Sequence, residues 1–478
     1  MNAADKLPGS GPRHAASRRT ILKATGATAL AAGVGAVTLN TARADGPEDA
    51  PTDVVVIGAG FAGATAAREL TAEGLSVRVL EARDRIGGRV WTSSFAGEQV
   101  EMGGTWLDRK QKHVWAEVER YGMRIVSDAA PTRAFLPAAS GFREMSPAEV
   151  YARQSELITP FFDGSRDYFP RPYEPLHRED LVRPVDALSM RDRLDQLRYS
   201  ADDELLVSNT VGGLTGSAST VGLACVAHWW SLSGWSFDGY MSVNTDRPEA
   251  GSTALVKAIL DDSGVTPVLR SPVASVTDDG RKVKVTTRAG KTYTARAVVV
   301  AVPVNTWNTI AFAPGLPAEY TRLSTDGLGV RTSQKFLMHV RGADLGRFYV
   351  EGPAGAPLLN VVPFKERADG NIMVGFSASP TFDPTDTSAL QAELRKAVPG
   401  IEVVAVKAQH WGRDPYSRGG WAVRRPGLLT GPLRSVQQPR GRVAFATGDI
   451  ADGWHGFMDG AIETGFTAAA QVAEILGG

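Results

Sequence analysis

The four consecutive β-branched residues Val54-Val55-Val56-Ile57 make an unbroken apolar run of strand length, and Ala64 to Leu70 follow with the spacing of a helix. Gly58-Ala59-Gly60-Phe61-Ala62-Gly63 lies between them and predicts a tight turn. A second strand is expected over Leu75 to Leu80, ending on Glu81, and a helix over His113 to Tyr121, stopped by Gly122. From about Ala130 to Tyr240 the pattern is helical, broken by the Pro-rich Phe169 to Pro175 and a Gly/Ser-rich stretch from Gly212 to Thr220. Gly251-Ser252-Thr253 opens a helix that ends near Gly264. Strands are then expected over Val265 to Val276, Lys282 to Thr287, Lys291 to Thr294 and Ala297 to Val302. Short strands and turns fill Asn305 to Pro432. The chain closes with a strand over Arg442 to Ala446, a turn at Thr447-Gly448-Asp449 and a helix from Met458 to Leu476 with Ala and Gly along one face.

Strand, glycine turn, helix, strand and acid in that order describe an α/β unit of the Rossmann type that binds a dinucleotide. Gly58 permits the turn, Gly60 lets backbone N–H groups approach a pyrophosphate, and Gly63 lets the helix pack closely on the strand. The helix N-terminus turns its partial positive charge to the phosphates. Glu81 can accept hydrogen bonds from ribose hydroxyls and disfavours a 2′-phosphate. At 478 residues the chain exceeds one core, so a second, interleaved domain is expected.

Arg83-Asp84-Arg85-Ile86-Gly87-Gly88-Arg89 adds a second glycine turn beyond the acid, for which a pure NAD domain has no need. This stretch resembles the flavin-containing amine oxidase (monoamine oxidase) family, where it wraps the FAD pyrophosphate. The resemblance covers nearly all of the chain after residue 50. It implies FAD contacts at Gly58, Gly60, Phe61, Ala62, Gly63, Glu81, Ala82, Arg83, Gly87, Gly88 and Arg89, and at Gly103-Gly104-Thr105-Trp106 against the isoalloxazine. It places a backbone group of Val273 at the adenine, and Asp449, where the family commonly has Glu, at the ribityl hydroxyls. Backbone N–H groups from Met458 to Ala461 would face the flavin N1/C2=O edge, where the helix dipole stabilises negative charge. The fold class is therefore α/β, with a discontinuous FAD-binding domain over 50–130, 246–304 and 436–478. A substrate domain over 131–245 and 305–435 would combine a mixed sheet with a helical insertion.

The same resemblance supplies the chemistry, which is transfer of a hydride equivalent from the carbon beside a neutral amine nitrogen to flavin N5, giving an imine that water hydrolyses. Such a site needs an apolar, aromatic surrounding that favours the neutral amine. Trp421 and Phe457 match the family's aromatic cage, and Lys335 matches the lysine that holds a water near flavin N5. Phe169 to Pro175, Lys335, Trp421 and Gly453-Trp454-His455 are most similar to bacterial nicotine oxidoreductases, although that branch can carry a polar amide at the position of Phe457. A hydrophobic aryl-alkyl or cyclic amine is the expected substrate. The stretch Tyr416 to Trp421 lacks the cysteine that attaches flavin in covalent members, so noncovalent FAD is expected.

Three other readings stay open. An amino-acid oxidase needs an arginine to clamp a carboxylate, and Arg331, Arg418, Arg424 and Arg425 are available. A polyamine oxidase should line its tunnel with acidic residues, of which no cluster is visible. A flavin electron carrier would need no cage at all. The electron acceptor, O2 or an exported redox protein, is not readable, nor is the choice of monomer or homodimer.

Ser17-Arg18-Arg19-Thr20-Ile21-Leu22-Lys23, the mildly apolar Ala24 to Leu39 and Ala42-Arg43-Ala44 resemble a twin-arginine export signal over residues 1–44, which implies a secreted or periplasmic protein. No run reaches the length of a membrane span, and no lipobox cysteine is present, so no membrane anchor is expected. The 52 basic and 52 acidic side chains balance; six Lys/Arg and one Asp lie in the first forty-four residues, which leaves the rest at −5 and gives no reason to expect nucleic acid. The single cysteine, Cys225, excludes an internal disulfide. Seven histidines without ligand spacing point to no metal site.

Overall fold

The computed structural model describes residues 52–477, so the expected export signal lies outside the described residues. Two seven-stranded sheets organise the chain. In the first, the β-branched run becomes Thr52–Ile57, flanked in parallel by Val77–Leu80 on one edge and Thr292–Val300 on the other. The first half of Thr292–Val300 pairs antiparallel with Val283–Thr287, and its second half takes Val443–Phe445 in parallel. Val273–Asp278 and Ala311–Ala313 complete the sheet. Four parallel strands thus end at one edge, at Gly58, Glu81, Ala301 and Ala446, and ligands of open α/β sheets bind beyond such carboxyl ends.

The helices Phe61–Ala72, Ser252–Ser263 and Met458–Gly477 bury one face each in the core beside this sheet, that of the first and last rich in Ala and Gly. Gly465 is where the last helix meets the first, since a Cβ there would stand 2.7 Å from the Ala62 carbonyl oxygen. Gly264 ends the middle helix in a left-handed conformation, as the sequence predicts.

The second sheet runs Glu402–His410, Gln334–Arg341, Gly370–Ser377, Asn360–Arg367, Phe348–Glu351, Arg133–Ala138 and Gly141–Met145. Every neighbouring pair is antiparallel except Phe348–Glu351 with Arg133–Ala138. Helices from Pro147–Ile158 to Phe237–Ser242 lie between its last hairpin and the return to the first sheet. Ser146 with Glu149 and Ser189 with Asp192 form capping boxes that start two of them.

Several expectations need correction. The segment after Ala130 opens with a hairpin, Arg133–Ala138 and Gly141–Met145, before any helix forms; Gly141, at φ +109, accommodates the turn. Val265 to Val276 is a strand only from Val273, because Pro267 and Pro272 interrupt the ladder. Lys291 to Thr294 and Ala297 to Val302 merge into one strand. Between 305 and 435 the strands are eight or nine residues long in most cases, and the helices Ala318–Asp326 and Thr387–Arg395 interrupt them. The boundary at 304 cuts the first sheet, since Ala311–Ala313 pairs with Val273–Asp278.

Candidate active site

A cavity of about 820 Å³ starts at the carboxyl edge of the parallel strands and runs across the face of the second sheet. Of the residues predicted to touch cofactor or substrate, all except Gly63 and Asp449 line it. Gly63 acts one layer behind, because a Cβ there would stand 1.9 Å from the Gly58 carbonyl oxygen, so helix and strand close only around glycine. Gly58 sits at φ +109, and a Cβ on it would meet the Ala301 carbonyl oxygen at 2.4 Å. The helix Phe61–Ala72 has no side-chain cap and no acid in its first turn, which leaves its N-terminal N–H groups open to an anion. Glu81 is buried and accepts from Ala59 N at 2.9 Å and Arg83 N at 2.8 Å, which fixes its carboxylate at the strand end. An uncapped helix end, a buried acid and backbone passing where no Cβ fits suit the expected FAD.

Asp449, expected at the ribityl hydroxyls, does not itself line the cavity, although Gly448 beside it does. Its carboxylate is fully buried, pairs with the Arg89 guanidinium at 2.7 Å and accepts from Val304 N at 3.1 Å. Arg89 also donates to the Gly420 carbonyl oxygen at 3.0 Å, so one guanidinium ties the second glycine turn to Gly420, beside Trp421, and to the last strand-turn-helix unit.

Lys335 lies on Gln334–Arg341 and points into the cavity, only 3% exposed. Its Nζ donates to the Gly103 carbonyl oxygen at 2.8 Å and to Thr105 Oγ1, with the rings of Trp106 and Phe376 at 5.3 and 5.5 Å. Burial pulls its pKa down to about 8; Glu101 and Asp128 oppose the fall, and Arg247 adds to it. The turn that receives it is tight, because a Cβ on Gly103 would stand 2.0 Å from the Arg89 carbonyl oxygen.

Trp421 donates its Nε1–H to the Leu214 carbonyl oxygen at 2.8 Å and meets Phe376 edge-on at 6.1 Å. Phe457 stands edge-on to Trp229 at 5.7 Å and to Trp454 at 5.2 Å. None of Arg331, Arg418, Arg424 and Arg425 lines the cavity. Arg331 donates to Ser324 and Thr325 carbonyl oxygens, Arg418 to Asn308 Oδ1, Arg425 to the Gly327 carbonyl oxygen and the buried Arg424 to that of Ala451, so none of these four stands ready to clamp a substrate carboxylate there.

The far end of the cavity holds polar residues that sequence reasoning missed. Gln154, Asn209, Tyr349, Glu351 and Asn360 line it, drawn from the helical segment and two strands. Tyr349 Oη donates to Glu351 Oε2 at 2.8 Å, and Gln154 Nε2 donates to the same oxygen at 3.1 Å. Burial raises the Glu351 pKa while these donors lower it. No sequence motif marks the group, and Glu351 ends a short strand of sequence Phe-Tyr-Val-Glu.

Two further placements bear on the expectations. Cys225 is buried, 3.2 Å from His455 Nε2, and does not line the cavity. His113, Asp459 and Glu463, which show no ligand spacing in sequence, bring ligand atoms within 4.8 Å of one another.

The chain is 34% identical to nicotine dehydrogenase of Pseudomonas putida (strain DSM 28022 / S16), over 96% of this chain and 98% of that one. It is 32% identical to pseudooxynicotine dehydrogenase of a Pseudomonas species, over 94% of each. The structure of putrescine oxidase bound to putrescine superposes with a TM-score of 0.74 at 22% identity, covering 89% of this chain and 100% of that one, which shows a shared fold. Matching its profile over residues 61–473, the chain belongs to the flavin containing amine oxidoreductase family.

Proposed function

We propose that this chain is an exported, FAD-dependent amine oxidase or dehydrogenase acting on a hydrophobic aryl-alkyl or cyclic amine. FAD is the cofactor of the family, and when bound it accepts the hydride equivalent from the carbon beside the nitrogen, giving an imine that water hydrolyses. One observation carries the reading: Lys335, Trp421 and Phe457 share a single cavity with the glycine turns.

Trp421 and Phe457 supply apolar ring faces and displace water, which favours the neutral amine by desolvation. Lys335 uses two of its N–H groups on Gly103 and Thr105, which leaves a third for a water in the cavity when it is protonated. Gly420 precedes Trp421 and Cys225 stands apart, which supports noncovalent FAD. Acid precipitation should leave the flavin in the supernatant; a yellow pellet would refute this. The amine class agrees with the names of the nicotine and pseudooxynicotine dehydrogenases. The acceptor is O2 or an exported redox protein, and slow reoxidation in air selects the second.

The test is anaerobic bleaching of the bound flavin by primary, secondary and cyclic aryl-alkyl amines, with amino acids alongside. Bleaching by amines alone is expected. An electron carrier would be reduced by none of them. Export is tested by sequencing the N-terminus of the secreted protein, expected directly after Ala44.

A further inference from the structure

One rung of the second sheet carries chemistry along its length. Lys335 pairs with Phe376, Phe376 with Asn360 and Asn360 with Glu351, each directly across neighbouring strands. Paired residues share a face, and all four line the cavity. Strand spacing of about 4.8 Å puts Glu351 about 14 Å from Lys335 and about 10 Å from Phe376, which flanks Trp421. The cavity therefore has a redox end and a polar end on one ladder.

Glu351 is 3% exposed, and its two oxygens differ. Oε2 accepts from Tyr349 and Gln154, whereas Oε1 has no partner, and neither has the Asn360 side-chain oxygen opposite. A buried acceptor without a donor is costly. Asp128, another acid on this cavity, is already satisfied by Arg247 at 2.7 Å and Trp106 Nε1 at 2.8 Å. Glu351 is set apart by being buried, acidic and half-satisfied. We propose that Glu351 and Asn360 form a subsite for a second, cationic nitrogen of the substrate, about 10 Å from the ring cage. An ammonium brings several donors to two waiting acceptors and neutralises the buried carboxylate. The inference rests on the amine-oxidising reading and narrows it to amines with an apolar middle and a second basic nitrogen. The acidic feature that the sequence does not reveal is thus one residue, supplied by a short strand.

The test compares linear α,ω-diamines, from butane to octane chains, with n-alkylamines of equal length, in anaerobic flavin reduction by the FAD-loaded enzyme. The unaltered enzyme should prefer the diamine in kcat/KM, most for the longer chains, and Glu351→Gln should lower the diamine-to-monoamine ratio about tenfold or more. Glu351→Asp should restore part of it. If Glu351→Gln loses FAD, the ratio is read in Asn360→Leu, where it should fall as well. A ratio near one in the unaltered enzyme, or one that these variants do not move, overturns the subsite and indicates that Glu351 is protonated and shares its proton with Asn360. Absence of bleaching by every amine would instead refute the amine-oxidising reading itself.

Discussion

Lys335 Nζ stands 2.8 Å from the carbonyl oxygen of Gly103, which joins the second sheet to the glycine turn that follows the strand Glu98–Glu101. Lys335→Met should slow flavin reduction or reoxidation at least about tenfold while leaving FAD bound, because general acid–base and positioning groups contribute on that scale or more. Unchanged rates in both half-reactions would exclude Lys335 from the reaction. A second readout is stability. Burial lowers the pKa from 10.5 to about 8, so the unfolded chain holds more protons between those values. The parent should therefore gain on Lys335→Met by up to about 3 kcal/mol as pH rises through that window. Denaturation series at pH 8 and pH 10.5 measure the difference.

Gly63→Ala should prevent FAD loading, since its Cβ would fall 1.9 Å from the Gly58 carbonyl oxygen with only backbone to yield. Gly74→Ala is the control. Gly74 has φ +83 but nothing within 4 Å, so the change should cost only about 1–2 kcal/mol and leave the flavin absorbance in place. Flavin content of the purified variants separates steric exclusion from backbone strain.

The cofactor end was legible because its signals are local. Val54 to Glu81 and Arg442 to Leu476 each carry strand, turn and helix within one short stretch. The pairing of Asp449 with Arg89 was not legible, because pattern locates the acid but not the guanidinium that reaches it. The polar end of the cavity was hidden for the same reason. Gln154 and Glu351 meet across 197 positions, and Glu351 ends a four-residue strand with no motif around it. The hairpin at 133–145 was masked by Pro137 inside its first strand, which Arg133–Ala138 tolerates within an antiparallel pair.

Asp449→Asn should destabilise the protein by about 3 kcal/mol, because removing one partner of a buried ion pair leaves the other charge uncompensated. Asp449→Glu keeps the negative charge opposite Arg89 and should cost less. Weakened FAD binding should accompany the fall in stability, read as flavin released on dilution. If Asp449→Asn keeps both stability and flavin, the pair does not organise the site.

Trp421→Phe keeps an aromatic face but deletes the Nε1–H donated to Leu214, whereas Trp421→Ala deletes both. The first should lower kcat/KM for an aryl-alkyl amine by less than about tenfold, the scale of one neutral hydrogen bond. The second should exceed that, because it also opens the cavity to water. Both should retain FAD. Equal losses in the two variants would assign the effect to the hydrogen bond and not to the ring.

Asp459 and Glu463 give the last helix a pH dependence of defined sign. Burial raises Asp459 from 3.8 to about 6 and Glu463 from 4.5 to about 7, against backbone donors at Val114, His113, Gly453 and Asp452 that pull the other way. Lys112 lowers Asp459, and the neighbouring Asp452 and Asp459 raise Glu463. A carboxyl with a raised folded pKa stabilises fully below its unfolded value and loses that contribution as pH climbs to the folded one. His113 acts oppositely, since burial lowers it to about 4, so the net slope of the parent mixes both. Glu463→Gln isolates one side, because the histidine contribution is common to both proteins. The variant should gain on the parent between pH 4.5 and pH 7, by up to about 3 kcal/mol, and the gap should be flat above that. Thermal or denaturant unfolding at intervals through that window measures the gap. A constant gap would mean that Glu463 titrates normally and that its backbone bonds to Asp452 and Gly453 offset its burial.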